Sequence, residues 1–294
     1  METILSPVFA GLSVSAVLLL IALGLTLTFG QMNVINMAHG ELIMVGAYTT
    51  YVLQRTLPSA DVAYLLALPL AFLLAGLLGL GLERSVIRRL YGRPLDTLLA
   101  TWGISLLLQQ LARDVFGASN VQTQRPSFLE GGISVGSLTL PWSRIAILGL
   151  ATVTVVVLAL VIARLPYGRR MRAVLQNRQL AAVTGVRTER VDGVTFFIGS
   201  ALAGLAGVAL TLLGSVGPTL GTSRIVDAFL VVIVGGLGRL HGAVLAALGI
   251  GMLNAVVEQT TQASVAKAVV FAGVIALLQV RPQGLFAHRS RALV

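Results

Sequence analysis

The chain has 294 residues, 56% of them hydrophobic and only 11% charged, a charged share about half that of a soluble domain, and its mean hydropathy is +0.91. It contains no cysteine, which excludes disulfides, thiolate nucleophiles and cysteine-bound metals, and its three histidines, His39, His241 and His288, are too dispersed in sequence to suggest metal catalysis. The net charge of +10 comes from arginine blocks at 83–93, 164–190 and 281–291, each between or after apolar segments, which is the pattern of cytoplasmic loops in a polytopic membrane protein and not of a nucleic-acid-binding surface.

A helix needs about 20 apolar residues to cross the hydrocarbon. Residues 7–29 are the first such run; they are too long for a signal-peptide core and lack a basic leader, so they read as a retained span. A polar run, GQMNVINMAHG (30–40), and a short apolar run, 41–54, follow. Backbone that leaves the helix inside a bilayer must be buried in protein or line a wet cavity, because lipid satisfies no N–H or C=O group. Gly30 and Gly40 permit such a break, and Asn33, Asn36, His39 and Glu41 are candidates to line a solute pathway there. The other reading is an ordinary turn with Glu41 favouring the dipole of the next helix; the shortness of 41–54 favours the break. His39 and Glu41 do not form a zincin pattern, since no second histidine follows four residues on, and G-x-S-x-G is absent.

After a third span (62–82), the fourth (95–115) carries Thr101, Trp102, Gln109 and Gln110 in apolar surroundings, facing other helices or a pathway. The outer segment 116–142 alternates from Ile133 to Leu140, which predicts a small hairpin. Beyond a fifth span (143–163) lies the basic loop 164–190. From Arg169 to Thr184 it predicts one amphipathic helix, with Met171, Val174, Leu175, Ala181 and Ala182 interspersed among Arg169, Arg170, Arg172, Asn177 and Arg178, ended by Gly185. Such a helix suits an anionic lipid surface or a groove on a cytoplasmic partner. The sixth span (191–213), the polar run GSVGPTLGTS (214–223) and a second short run (225–237) follow, then 242–258 and 265–280. Glycines in GSALAGLAG (199–207) and GGLGRLHG (235–242) allow close helix packing.

Together these predict an all-α polytopic bundle of eight to nine membrane segments forming one domain over 1–294. Nine crossings from an outside N-terminus place the arginine-rich loops and the C-terminus in the cytoplasm. Tyr51, Tyr64 and Trp142 then fall at outer ends and Tyr91 and Tyr167 at inner ends, where interfacial rings sit. The two short spans occupy matching places in oppositely oriented halves, the signature of an inverted-repeat transporter. No G-x-x-x-x-G-K-[ST] loop occurs, so any ATP-driven step belongs to a separate subunit.

Several motifs, in order, resemble permease subunits of bacterial ABC importers of the branched-chain amino acid and urea uptake class: INMAHGELIMVGAYT (35–49), LLATWGISLLLQQ (98–110), GRRMRAVLQNRQLAAVTGV (168–186), VGPTLG (216–221), VVIVGGLGRLHGAVLAA (231–247) and RPQGLF (281–286). Met37, Trp102 and Gln109–Gln110 look more like the urea type; Arg239 and His241 depart from it, and Ala181, Ala182 and Gly185 match the EAA-type coupling signature only loosely. The resemblance implies a bacterial inner-membrane permease with a homologous second permease subunit and an extracytoplasmic solute-binding protein. It also implies two cytoplasmic subunits that bind ATP and magnesium, with no cofactor, metal or nucleic acid on this chain. The expected cargo is a small neutral solute, urea first, with branched-chain amino acids as the alternative and a stand-alone channel or secondary transporter as the reading from another class. Asn33, Asn36, His39 and Glu41 would line the pathway, with Thr101, Trp102 and Gln109 beside them, and Arg169 to Gly185 would couple it to the ATPase.

Overall fold

The computed structural model describes residues 2–135, 138–281 and 284–285. His288, Arg289, Arg291 and half of RPQGLF (Pro282, Gln283 and Phe286) lie outside the described residues. In chain order the helices are α1 (Glu2–Met32), α2 (His39–Thr56), α3 (Ala60–Ser85), α4 (Pro94–Phe116), α5 (Trp142–Arg164), α6 (Pro166–Gln176), α7 (Arg178–Val183), α8 (Thr188–Thr211), α9 (Leu220–Gly235), α10 (Leu240–Thr260) and α11 (Ala263–Val280). The nine predicted apolar runs each appear as a helix, and the chain is an all-α bundle. The alternating stretch before α5 pairs as a hairpin of β1 (Gly132–Val135) and β2 (Leu138–Pro141), with Val135 opposite Leu138; Gly136 and Ser137 at its tip lie outside the described residues.

Five helices, α1, α3, α5, α8 and α10, are long and apolar enough to cross a membrane by length and composition alone. The short runs become α2 and α9, of 18 and 16 residues. α1 is buried on every side from Ser15 to Thr28, as expected of a helix apolar all round, and it forms the axis of the bundle. α1 and α8 run antiparallel: Gln31 near the end of α1 reaches Asp192 near the start of α8, while Gly24 meets Gly199 in the middle of both. The most extensive helix pairings are α3 with α8 and α1 with α10. Each is the counterpart of the other if α1–α4 and α8–α11 are repeats of opposite orientation, as the placement of the two short spans predicts.

The loops sort to two ends as the predicted crossings require. At one end the buried carboxylate of Glu83 accepts bonds from Arg88 (3.1 and 3.2 Å) and from the Tyr91 hydroxyl (2.8 Å), and Arg88 also reaches Glu189 (3.1 Å). Burial and donation to Glu83 push the Tyr91 hydroxyl well above its ordinary range. At the other end the 117–131 segment lies across α2, α3 and α8. Gln54 exchanges bonds with the Gln124 backbone, Ser127 donates to Asp61, and Val121 pairs with Val216.

Two expectations need correction. The basic segment is not one helix from Arg169 to Thr184: it begins with Pro166, whose missing N–H suits a first turn, and breaks at Asn177. Asn177 is extended (φ −157°, ψ 107°) and caps α7 by accepting the Leu180 N–H at 3.0 Å, the local bond by which asparagine competes with a continuing helix. Nor do Tyr51 and Tyr64 present rings to an interface; both are buried, against Phe116 and Phe128, whereas Trp142 is exposed.

Close approach of α2 to α8 depends on Gly207, where a β-carbon would strike the Ile43 carbonyl oxygen and lie 2.8 Å from the Ala47 nitrogen. Gly207→Val is expected to cost about 1–3 kcal/mol by overpacking. Gly103→Ala, with nothing within 4 Å of the added methyl, should stay within about 1 kcal/mol of the parent. Melting temperatures of the two variants in the same detergent check this contrast.

Candidate functional site

The polar run after α1 forms a break inside the bundle. Asn33 closes α1 at φ 51°, a left-handed conformation that asparagine tolerates, with its N–H on the Phe29 carbonyl at 2.9 Å. The next residues turn back into the protein. His39, which opens α2, bonds through Nε2 to the Ile21 carbonyl at 3.2 Å and packs against Gly24. Those residues lie 8 to 11 positions before the end of α1, so the chain returns by about 12–16 Å at the helical rise, within the roughly 20 Å that six extended residues span. Val34 is buried against Ile87 and Phe196, and Asn36 is fully buried with neither side-chain polar atom partnered among the described residues.

α4 supplies what lipid cannot. Thr97, Thr101, Ser105, Gln109 and Ala112 are its buried residues, a stripe at four- and three-residue spacing on one face. Leu99, Trp102, Leu106 and Val115 point outward. The Thr101 hydroxyl accepts the Met37 N–H at 3.1 Å and lies 3.3 Å from the Ile35 carbonyl, so it ties down the non-helical backbone. One and two turns on, the Ser105 hydroxyl (2.9 Å) and Gln109 Nε2 (3.1 Å) donate to Glu41 Oε1, joined by the Thr222 hydroxyl of α9 at 3.2 Å. Gln109 Nε2 also reaches Thr222 Oγ1 at 2.8 Å. Glu41 is 0% exposed and its Oε2 has no partner among the described residues; Thr222 is the member of the cluster that reaches the surface.

The first turns of α2 and α9 meet at this cluster. A β-carbon on Gly40 would lie 2.6 Å from the Gly221 carbonyl oxygen, and one on Gly221 would strike Gly40. Neither helix has a side-chain cap at its start, so both positive dipole ends are directed at the buried site. One turn beyond Glu41, an apolar cavity of about 390 Å³ opens between α2, α3 and α4, lined by Met44, Tyr48, Leu70, Leu74, Leu108 and Leu111.

The basic segment sits at the Glu83 end. Met171, Val174 and Ala181 are buried against the bundle, while Leu175, Leu180 and Val183 are exposed, Val183 at 86%. α7 ends at Gly185 (φ 86°), whose N–H bonds to Ala182 while the Val186 N–H returns to Ala181, a paired closure that favours glycine. Arg178 pairs with the buried Asp192 at 2.6 Å, and Gln31 Nε2 reaches the same carboxylate at 3.4 Å. The Thr195 hydroxyl bonds to Gln31 Oε1 at 2.6 Å and lies 2.5 Å from the Tyr167 hydroxyl.

The site is thus a set of hydroxyls and amides around a buried break, with no metal-ligand cluster among the described residues. Residues 8–279 match the family described as branched-chain amino acid transport system, permease component. The chain belongs to this family. It is similar to the high-affinity branched-chain amino acid transport system permease protein LivH of Salmonella typhimurium, at 29% identity over 97% of this chain and 96% of that one. It is also similar to the corresponding protein BraD of Pseudomonas aeruginosa, at 28% identity over 95% and 94%. LivM of Escherichia coli, another permease protein of such a system, is 25% identical over 93% of this chain and 68% of its own length. No solved structure matches the chain significantly.

The permease therefore transports and is not an enzyme. Of the residues predicted for its pathway, the structure gathers Asn36, His39, Glu41, Thr101 and Gln109 around the break. Asn33 is exposed at the end of α1 and Trp102, 52% exposed, points away from the site. Ser105 and Thr222 were not predicted. The four-residue spacing of Thr97, Thr101, Ser105 and Gln109 was the available signal for Ser105; nothing in the sequence places Thr222 beside Glu41. Thr101→Val keeps the shape but removes the acceptor for Met37 and should cost about 1–3 kcal/mol. Hydrogen exchange of a peptide spanning 33–41 is expected to quicken in Thr101→Val and to remain at the parental rate in Thr101→Ser.

Proposed function

We propose that the permease is the membrane subunit of an ATP-driven importer and that its cargo is a branched-chain or similar aliphatic amino acid. The observation that carries the reading is the juxtaposition of Glu41, a buried carboxylate with one unpartnered oxygen, with two uncapped helix starts and an apolar cavity. A zwitterion supplies an ammonium for Glu41 and a carboxylate for the helix dipoles, and an aliphatic side chain suits Met44, Leu108 and Leu111. Urea has no charge to offer Glu41 and no apolar part. Of the residues that favoured urea, Met37 and Gln109 lie at the break, whereas Trp102 faces outward and exposed Gln110 bonds to Asp114 at 2.8 Å. The names of the LivH and BraD relatives support the amino acid reading as well.

The arginine excess at the Glu83 end supports a cytoplasmic position for that end. There the exposed Leu175, Leu180 and Val183 provide apolar anchors with arginines at the rim for a cytoplasmic ATP-binding partner that holds ATP and magnesium. A homologous second permease, of the kind the name and likeness of LivM suggest, and an extracytoplasmic binding protein complete the assembly. Arg178 to Asp192 to Gln31 links the docking segment to the end of α1, two residues from the break.

Glu41→Gln is expected to lower leucine uptake about tenfold or more, the effect of losing a charged contact, at unchanged membrane abundance. Parental leucine uptake in that variant, or competition of that uptake by urea, would refute the reading. For the docking face, Leu180→Asp with Val183→Asp should abolish copurification of the ATP-binding subunit. Arg178→Gln should leave copurification intact but reduce cargo-stimulated ATP hydrolysis severalfold; unchanged hydrolysis would remove Arg178 from the coupling path.

A further inference from the structure

A second cavity, of about 570 Å³, lies between α3 and α8 at the Glu83 end, with no residue of the break in its lining. Its rim carries Arg84, in the last turn of α3, and Arg190, in the first turn of α8, with Arg88 and Glu189 between them. Arg88 is already satisfied by Glu83 and Glu189. Arg84 and Arg190 have no carboxylate within 4 Å among the described residues. Two guanidiniums without acidic partners thus face one opening at the level where the helices leave the apolar layer.

The floor of the cavity is apolar. Leu80, Val194 and Phe197 line it, and Phe197 continues the surface edge-on to Phe72 at 5.9 Å, with exposed Leu73 and Leu77 on the same stretch of α3. At Gly193 of α8 a β-carbon would be 3.2 Å from Leu80 Cδ1, a tight contact across the cavity floor.

We infer that this cavity binds one anionic phospholipid, its phosphate held between Arg84 and Arg190 and an acyl chain laid along Val194, Phe197 and Leu77. A basic mouth between membrane helices above an apolar floor suits a headgroup with its chain attached. A free phosphate would use the arginines and leave the floor uncovered, so the lipid is the occupant that matches both halves. Arg88 is held by its carboxylates and orients the rim without contributing the free charge.

The test uses the full permease, in its purified complex, in nanodiscs of phosphatidylcholine with and without phosphatidylglycerol. Phosphatidylglycerol is expected to raise the melting temperature saturably and to remain bound, one per chain, in native mass spectra. Arg84→Gln with Arg190→Gln should weaken that binding about tenfold or more. Arg113→Gln with Arg144→Gln, which removes the same charge from the opposite end of the bundle, should leave it intact. A photoactivatable phosphatidylglycerol on the unaltered protein should label residues within 72–84 and 188–197. Equal loss in both double variants, labelling elsewhere, or an equal stabilisation by millimolar inorganic phosphate would overturn the assignment.

Discussion

Non-helical backbone at 33–38 leaves the exposed Asn33 and enters the interior of a bundle whose outer surroundings offer no hydrogen bonds, and α4 meets it through Thr101. Lipid cannot solvate these groups, so a helix must bring partners. α4 does this with a polar face, Thr97 to Gln109, while its other face, with Leu99, Trp102 and Leu106, is as apolar as an outer helix requires. The same stripe that fixes Met37 through Thr101 supplies Ser105 and Gln109 to Glu41. Structural support of the break and construction of the polar site are therefore one arrangement. Removing the break would lengthen α1 but leave a stripe of hydroxyls and amides with no partners.

The proposed coupling has a continuous set of contacts to run through. Gln31 bonds to both Asp192 and Thr195 on α8, and Asp192 is held by Arg178 of α7. Two residues after Gln31 the helix ends at Asn33, in the left-handed conformation from which the chain turns back toward Glu41. In the proposed importer, a shift of α6 and α7 with a partner moves one side of an ion pair whose other side is tied to the start of the break. α1 is buried on every side from Ser15 to Thr28, so in that importer the displacement would fall on the break that follows Gln31. A two-state element biased from both ends is what alternating access needs.

The spans were legible because their signal is length and composition: each apolar run of the sequence became a helix, and the shortness of 41–54 and 225–237 announced α2 and α9. The break was legible from glycines flanking asparagines in an apolar context. What stayed hidden depended on partners distant in sequence. Thr222 is an unremarked polar residue until Gly40 and Gly221 bring α2 and α9 together. Trp102 sits one position from Thr101, and only the direction of α4 separates a residue that pins the break from one that faces outward. Asn177 was placed among the polar residues of a continuous helix, whereas its side chain closes on Leu180 and divides that helix in two. Local hydrogen-bond competition of this kind is visible as a propensity and decided by context.

In the proposed importer, Glu41 makes the choice of cargo a matter of charge more than of hydrogen-bond count. Ser105, Gln109 and Thr222 all donate to the same oxygen, Oε1, which leaves Oε2 in a fully buried place without a donor among the described residues. A neutral amide could give that oxygen one more hydrogen bond, but it would leave a carboxylate's charge uncompensated at a depth where burial is costly. An ammonium group supplies the bond and the opposite charge together. The carboxylate of the same molecule would then lie near the starts of α2 and α9, whose dipoles favour a negative group, and the aliphatic side chain would have Met44, Tyr48 and Leu108 within a turn. One molecule could meet these three demands, cation, anion and apolar branch, only where the groups that answer them lie close together, and the proposed site rests on the meeting of α2, α4 and α9 beside Glu41.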